Sequence, residues 1–229
     1  RFYAGGAGRG AKLGVEEPGE TGTIPASHLE VMVPRRSRVW VKTASADIRV
    51  TDVVGGLDLY SVTGAVRVGG EAGEVYAESM DGNVDVTASS RWVRAKTATG
   101  SVTLHVTGAD VTATTVSGNI VAIGDGFERG RLESVTGDIR FEGDFDRGGA
   151  FTFESHGGTI ELRVPNTVAA NFEVSTVNGQ ITNELGRAQI RTARDGTGRA
   201  LSLETGPGGA EVTVRSFKGD VVLRRRGLA

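Results

Sequence analysis

Apolar and small residues recur along this chain in a fixed frame, which is clearest between Ala109 and Ile123. With Gly118 taken as the anchor of that frame, equivalent positions follow at steps of 18 to 21 residues, with one longer step before the last. The nine anchors are Ala46, Gly64, Gly82, Gly100, Gly118, Gly137, Gly158, Gly179 and Gly219. A period near twenty residues with the same residue types in each column predicts a solenoid.

Columns around the anchor indicate what kind of solenoid this is. The residue two after the anchor is Val or Ile in every copy, and the residue three before it is always Ser or Thr. The residue seven before the anchor is apolar except at Gly130. Apolar or Ser/Thr residues alternate with polar ones at a period of two, which predicts short β-strands with one inward face.

A change of parity between the third and second residues before the anchor predicts a corner between two strands. We expect the Ser or Thr hydroxyl to point inward there and to bond a backbone group freed by the turn. The mostly apolar residues two before the anchor are predicted to face inward as well. Glycine at the anchor either adopts a special backbone conformation or lets coils approach closely, and Ala46 favours close approach in the first coil.

Stacking of such coils predicts parallel sheets without crossover helices. We therefore expect an all-β, single-domain, right-handed parallel β-helix, or β-solenoid, of about nine coils of 18–21 residues. At about 4.8 Å per coil the rod would be about 43 Å long.

Irregular segments at the two ends of the repeat set the expected domain organisation. Residues 1–28 are predicted to be a flexible lead-in and N-terminal cap, and residues 29–223 the solenoid, opened by a strand at His28–Val33. Residues 182–209 leave the frame, which indicates an irregular excursion that covers the C-terminal end before a last coil at 210–223. Residues 224–229 are expected to be an exposed, mobile tail.

Composition excludes several classes of protein. The net charge is −2 with both signs interspersed, so nucleic acid is not an expected partner. The chain has no cysteine, which removes disulfides and thiolate metal sites, and no apolar stretch long enough to span a membrane. It begins with Arg1 rather than Met, which is compatible with removal of a leader.

Two longer turns gather carboxylates. The segments at 124–130 and 143–149 lie nineteen residues apart and should stack, which brings together Asp125, Glu128, Asp144 and Asp146. Such oxygen ligands could hold Ca²⁺. Arg129 and Arg147 stand beside them, so a solvated ion-pair ladder is the favoured interpretation, and neither a metal nor another cofactor is predicted.

Four aromatic residues stand out in a chain that is only 6% aromatic. Trp40, Tyr60, Tyr76 and Trp92 fall on four successive coils, and strand parity directs all four outward on one sheet. Aromatic platforms bind sugar faces and anchor protein interfaces. Three interpretations remain open: cover by the N-terminal segment, a protein interface, or a glycan site.

Other outward columns give no catalytic constellation. Polar residues one and three after the anchor are of mixed type, and their carboxylates do not converge. The histidines, His28, His105 and His156, share no metal-ligand spacing and no acid partner. The sequence therefore predicts a protein that is not an enzyme.

A family resemblance follows from the order of four landmarks: LEVMVP (Leu29 to Pro34), repeats of the form VxAxTxxGxI, LRVPNTVAANFEVSTVNGQI, and VTVRSFKGDVVL (Val212 to Leu223). Over about Leu29 to Leu223 the chain resembles a bacterial family of adhesin-like β-solenoids of unknown function. The resemblance implies export to, or tethering at, the cell envelope and brings no catalytic residues. We expect a non-enzymatic scaffold or binding module for an unidentified protein or cell-surface glycan. The alternatives are a glycan-binding or glycan-acting protein that uses the aromatic face, and homo-oligomeric self-assembly through the solenoid ends.

Overall fold

The structure, a computed structural model, describes residues 2–5, 12–15, 28–108, 110–193 and 196–227, with only the backbone at 2–5 and 12–15. The chain forms two compact units, Arg1–Val33 and Pro34–Ala229. In the first unit, strands β1 (Phe2–Gly5) and β2 (Lys12–Val15) pair antiparallel. The rest of the predicted lead-in, at 6–11 and 16–27, lies outside the described residues.

The strand predicted at His28–Val33 does not form. Residues 28–34 have no regular secondary structure, and Leu29, Val31 and Met32 are exposed. The segment ends instead in a turn, in which Ser37 donates its backbone N–H to the carbonyl of Pro34 at 2.9 Å. Without a paired neighbour an extended segment gains no ladder hydrogen bonds, so apolar alternation alone did not make a strand. The second unit begins five residues later than the sequence boundary at Leu29.

Most strands of the second unit alternate between two sheets of parallel strands, and two late strands pair antiparallel. In chain order they are β3 (Val39–Lys42), β4 (Ile48–Thr51), β5 (Gly56–Ser61), β6 (Val66–Glu71), β7 (Glu74–Ser79), β8 (Val84–Ser89), β9 (Trp92–Thr97), β10 (Val102–Thr107), β11 (Asp110–Thr115), β12 (Ile120–Ser134), β13 (Ile139–Ser155), β14 (Ile160–Val164), β15 (Ala170–Thr176), β16 (Ile181–Asn183), β17 (Arg191–Thr192), β18 (Arg199–Glu204), β19 (Ala210–Ser216) and β20 (Val221–Arg225).

One sheet, called here the front sheet, contains the first strand of each coil, from β3 through β5, β7, β9 and β11 to the second halves of β12 and β13. The back sheet contains the second strand of each coil, from β4 through β6, β8 and β10 to the first halves of β12 and β13 and to β14. The predicted all-β solenoid is confirmed. Seven coils, Val39 to Val164, stack in chain order, and two further rungs complete the stack.

Those two rungs are stacked in exchanged order. The last coil of the chain, β19 and β20, pairs with β13 and β14 on one side and with β15 and β16 on the other. The preceding coil, β15 and β16, is therefore the outermost parallel rung. Strand β18, within the segment 182–209, pairs antiparallel along β15, whereas the coil at 210–223 lies inside the stack and not at its end.

Most coils close their corner through the Ser or Thr three residues before the anchor, although the buried Ser216 Oγ of the last coil has no hydrogen-bond partner among the described residues. Thr115 shows the arrangement: its buried Oγ1 accepts the Gly118 N–H at 3.1 Å and donates to the Gly100 carbonyl of the preceding coil at 3.3 Å. Related bonds join Ser79 and Thr97 to their own and the preceding anchors. The predicted inward hydroxyl at the corner is confirmed.

Close approach between coils explains the anchor glycine. A Cβ added at Gly118 would lie 1.8 Å from the Gly100 carbonyl oxygen, and one at Gly64 would lie 2.1 Å from the Ala46 oxygen. None of the anchor glycines has a positive φ. Ala46 fits the same frame because its coil is the first of the stack, so its Cβ does not meet the carbonyl of a preceding anchor.

The residues two before the anchor face outward, so the prediction that they point into the core is wrong. Met80 is 56% exposed and Val116 52% exposed, and Val62 and Val135 are exposed as well. At this corner the N–H groups of two successive residues both bond one carbonyl of the coil below, as Met80 and Asp81 do to Val62. That shared carbonyl turns the backbone and leaves an apolar ridge on the surface.

The core widens toward the C-terminal coils. Val75, Ala77, Val93 and Ala95 fill the third and fourth coils. The later coils bury six phenylalanines in contact with one another, Phe127, Phe141, Phe145, Phe151, Phe153 and Phe172. The longer coils of 19 and 21 residues provide the perimeter that this bulk requires, and Gly130 leaves room for the Phe151 ring, which a Cβ would meet at 2.8 Å.

The C-terminal residues are held by ion pairs rather than free. Arg224 and Arg225 belong to β20, and Arg226 pairs with Asp125 at 2.8 Å and with Glu142 at 3.8 Å. Arg225 donates to the Leu185 carbonyl at 2.7 Å. Residues 224–227 are exposed, and insertion of β20 places Arg224 and Arg226 beside carboxylates of several other coils; 228–229 lie outside the described residues.

Candidate binding face

The front sheet presents three outward columns of side chains, each made of residues that pair in register on successive coils. The register places Trp92, Asp110 and Arg129 in the first column. Trp40, Asp58, Tyr76 and Arg94 form the second column, followed by Thr112, Arg131 and Thr152. Lys42, Tyr60, Glu78 and Lys96 form the third, followed by Thr114, Glu133 and Glu154.

All four sequence-predicted aromatic residues lie on this face, but they do not form one continuous platform. Tyr60 and Tyr76 have ring centroids 5.2 Å apart, in neighbouring coils and columns. Trp92 lies one coil further, in the first column. Trp40 is 60% exposed and is separated from Tyr76 in its column by Asp58.

Two charged side chains, Glu78 and Lys96, lie beside the Tyr76 side chain of this pair. The Tyr76 hydroxyl donates a hydrogen bond to the Glu78 carboxylate, and the Lys96 ammonium lies 5.9 Å from the Tyr76 ring centroid. Desolvation, followed by the bond to Glu78, raises the pKa of Tyr76 to about 12. Tyr76 is therefore a neutral hydrogen-bonding aromatic surface at physiological pH.

Trp92 borders a shallow groove of about 270 Å³ that sequence reasoning missed. The guanidinium carbon of Arg94 lies 5.1 Å from the Trp92 ring centroid and so orients the ring. Beyond Trp92 the groove continues over residues from the next three coils: Asp110, Thr112, Arg129, Arg131, Ala150 and Thr152. The signal was available, because Asp110, Arg129 and Arg131 occupy the same outward columns, eight and six residues before their anchors.

Asp110 and Arg129 are only loosely paired in this groove, whereas Arg131 is held by Glu133. The Asp110 carboxylate lies 3.6 Å from Nε of Arg129, beyond hydrogen-bond distance, and its Oδ1 has no hydrogen-bond partner within the described residues. Arg129 is 71% exposed at its side chain, and Arg131, whose side chain is 59% exposed, pairs with Glu133. The small Ala150 side chain leaves the first column open beyond Arg129.

A second, wider groove of about 510 Å³ follows the apolar ridge across the later coils. It lies between Glu133 and Glu154 on one side and Val135, His156 and Phe217 on the other. The His156 and Phe217 rings are stacked, with centroids 4.7 Å apart. His156 is exposed at the corner, so its ring covers Phe217 rather than the core edge.

The carboxylates predicted to gather at the long turns do not make a metal site. Asp125 pairs with Arg226, and Asp144 accepts the N–H of Phe145 at 2.8 Å. Among the described residues, which include Glu128 and Asp146, no group of three or more His, Asp or Glu side chains could hold a metal ion. Asp125 was expected to pair with Arg129 or Arg147, but Arg129 pairs with Asp110 instead, and Asp125 pairs with Arg226 after the inserted β20.

Polar residues one after the anchor have a structural task. The Asp47 Oδ1 accepts the Ala65 N–H at 2.9 Å, and Asn83, Asn119 and Asp138 accept in the same way from the next coil. This ladder satisfies backbone donors at the corner. It gives the Asp and Asn residues of that column, and Ser101, a role in holding adjacent coils together.

Comparisons with known proteins give one family. A family model described as Toastrack DUF4097 matches residues 37–224. No curated protein and no solved structure gives a significant match. The described residues contain no helix that is long and apolar enough to cross a membrane.

Proposed function

The chain belongs to the Toastrack DUF4097 family, a domain of unknown function, and from that premise we propose that it is a non-enzymatic, adhesin-like binding module of the bacterial cell envelope. In this proposal the solenoid is a rigid scaffold and the front sheet carries the recognition surface. The envelope location rests on the resemblance of the repeat landmarks to adhesin-like solenoids.

One observation carries the proposal: the described Trp and Tyr side chains, Trp40, Tyr60, Tyr76 and Trp92, all lie on the outward face of the first four coils of one sheet. The phenylalanines of the described coils are instead mostly buried. Amphipathic rings with fixed orientation and adjacent charges are what recognition surfaces use, because they bury large area at small entropic cost.

A pull-down from cell-wall and envelope fractions, with a glycan array beside it, tests the proposal. The wild type is compared with the double variant Trp40→Ala, Tyr76→Ala, and with Thr213→Ala as a control further along the same column and outside the groove. We expect the aromatic variant alone to lose the retained partner. Equal retention by all three proteins, each folded by circular dichroism, would contradict a role for this face.

Self-assembly through the solenoid end is a second candidate function. Within the described residues, β3 and β4 pair only with β5 and β6, so the first coil offers two strand edges. Unpaired strand edges template the addition of further strands. Sedimentation that finds a monomer at high protein concentration would exclude this candidate.

A further inference from the structure

The groove beside Trp92 combines three kinds of contact within one shallow depression. Trp92 supplies an apolar ring, and Arg129 and Arg131 supply exposed guanidinium groups, of which Arg131 is paired with Glu133. Asp110 supplies a carboxylate whose side chain is 31% exposed; its Oδ1 is buried and makes no hydrogen bond to any described residue, and its Oδ2 lies 3.6 Å from Nε of Arg129. Thr112 and Thr152 add hydroxyl groups in the second column. The register holds these side chains on adjacent rungs, so their spacing is set by the sheet.

Each group matches one part of a sugar acid. The C–H face of a pyranose ring packs on an indole, as apolar surfaces do on aromatic rings. Sugar hydroxyls donate to a carboxylate such as Asp110 and exchange hydrogen bonds with threonine hydroxyls. A ring carboxylate accepts from an arginine fork, which binds it more strongly than it binds a neutral acceptor.

Size and charge narrow the choice further. A groove of about 270 Å³ is just below the usual range of pockets for drug-sized ligands, which favours one sugar unit of an extended chain. Asp110 lies between Trp92 and Arg129 in the first column and would repel a doubly charged phosphate more than a singly charged carboxylate. The groove is shallow and lies on the outer face of the sheet, which suits a polymer that continues past it.

We propose that this groove binds an acidic sugar unit of a polysaccharide, with Trp92 under the ring, Arg129 and Arg131 on its carboxylate and Asp110 on its hydroxyls. The inference rests on the proposed function, because it assumes that the front sheet is a recognition surface. It names the ligand as a uronate-type glycan.

The test is calorimetric titration of the full chain with oligomers of galacturonate, mannuronate and glucuronate and with the methyl ester of each. We expect at least one uronate to bind, and its ester, which keeps the ring and loses the charge, to bind at least about tenfold more weakly. Arg129→Gln and Trp92→Ala should each weaken uronate binding by about tenfold or more. Arg215→Gln is the matched control, since this exposed arginine lies on the same sheet, paired with Glu154 at 3.2 Å and outside the groove.

Three results would overturn the inference. Binding of ester and acid with equal affinity would place a neutral glycan on the face. Inorganic phosphate that displaces the uronate with the same dependence on Arg129 would mean an anion site without sugar recognition. No uronate binding, with envelope pull-down still lost in the Trp40→Ala, Tyr76→Ala variant, would reject this ligand and leave the proposed function standing; failure of both would reject both.

Discussion

Gly219 lies directly above Gly158, although 61 residues separate them in the chain: a Cβ at Gly219 would lie 1.9 Å from the Gly158 carbonyl oxygen. Gly179, which follows Gly158 in the repeat, lies above Gly219 instead, because a Cβ at Gly179 would lie 2.1 Å from the Gly219 oxygen. The final coil of the chain is thus inserted between its two predecessors. The outer coil therefore depends for its packing on residues that follow it in the chain.

Removal of the inserted coil should unfold more than the coil itself. A chain that ends at Gly209 loses β19 and β20 and with them both parallel partners of β15 and β16. It also uncovers Phe151 and Phe153, which pair with Val212 and Val214. We expect hydrogen exchange to show loss of protection over 170–204, and dye binding to report exposed apolar surface.

If protection over 170–204 remained, the rung order would be wrong. A terminal last coil would leave those residues stacked on β13 and β14. Protection over the first four coils is the internal control, because a solenoid rung contacts only its neighbours.

Substitution of Gly158 by alanine should be far more damaging than substitution of Gly157. A Cβ at Gly158 would lie 2.1 Å from the Gly137 oxygen, whereas the nearest atom to one at Gly157 is 3.5 Å away. Overpacking against backbone, which cannot yield, should lower the free energy of unfolding by about 3 kcal/mol. Urea denaturation of both variants measures the difference, and equal midpoints would contradict close approach as the reason for glycine.

Thr115→Val should lower stability, whereas Thr115→Ser should preserve most of it. Valine keeps the shape but removes the hydroxyl that accepts from Gly118 and donates to Gly100, so two buried backbone groups lose their partner. The expected cost is about 1 to 3 kcal/mol. Thermal unfolding of the two variants checks this, and a serine variant as unstable as the valine variant would show that packing of the methyl group dominates.

Tyr76 should ionise only at a pH well above the ordinary range of a tyrosine. Its pKa, raised to about 12 by burial and by Glu78, lies above the ordinary value of 10.0. Because the folded-state pKa is the higher one, the stability it contributes is complete below pH 10.0 and is lost as pH rises toward about 12. Tyrosinate absorbance, measured against pH after a rapid pH jump, should lose the titration step at the highest pH in Tyr76→Phe. In Glu78→Gln the same step should move to a lower pH. An unchanged profile in Glu78→Gln would remove the hydrogen bond as a cause.

Glu142 should make the protein sensitive to acid. The hydrogen bond from Arg140, opposed by desolvation and helped by the charges of Arg140, Arg163 and Arg226, holds the pKa of Glu142 below its ordinary value of 4.5. A lowered folded-state pKa contributes stability above pH 4.5 that is lost as pH falls through the lowered value. We expect Glu142→Gln to have a lower melting temperature than the wild type at neutral pH, and its melting temperature to fall less as the pH is lowered. Parallel melting curves against pH for the two proteins would contradict this.

Much of the local structure was determined by the sequence alone. The valine or isoleucine two after each anchor is buried in every coil, as the alternation required, and in most coils the Ser or Thr before the corner makes its hydrogen bonds inward. The glycine at each anchor after Ala46 is explained by the close approach of one coil to the preceding one, which recurs at those corners. These features depend on the contacts of one residue with its own coil and the next, so a repeat with fixed columns is sufficient to predict them.

Features that the sequence pattern missed depend on geometry beyond one coil. Val62 and Met80 looked like core residues, but the shared carbonyl at the corner turns them outward, and apolarity alone cannot distinguish the two sides of a bend. Asp110, Arg129 and Arg131 meet Trp92 only because adjacent rungs are in register. The site therefore could not be found by reading any single coil.

The order of the stack shows most clearly what only the tertiary structure decided. Every coil carries the same frame of inward positions, so the period by itself does not specify which coil lies on which. The choice depends on side chains from distant segments: Arg224 reaches Glu161 and Glu184, and Arg226 reaches Asp125 and Glu142, only when β20 lies between β14 and β16. The sequence by itself determined that the chain forms a β-solenoid and which faces of its strands line the core, because those depend on periodicity, whereas rung order and the binding face depend on contacts between segments far apart in the chain.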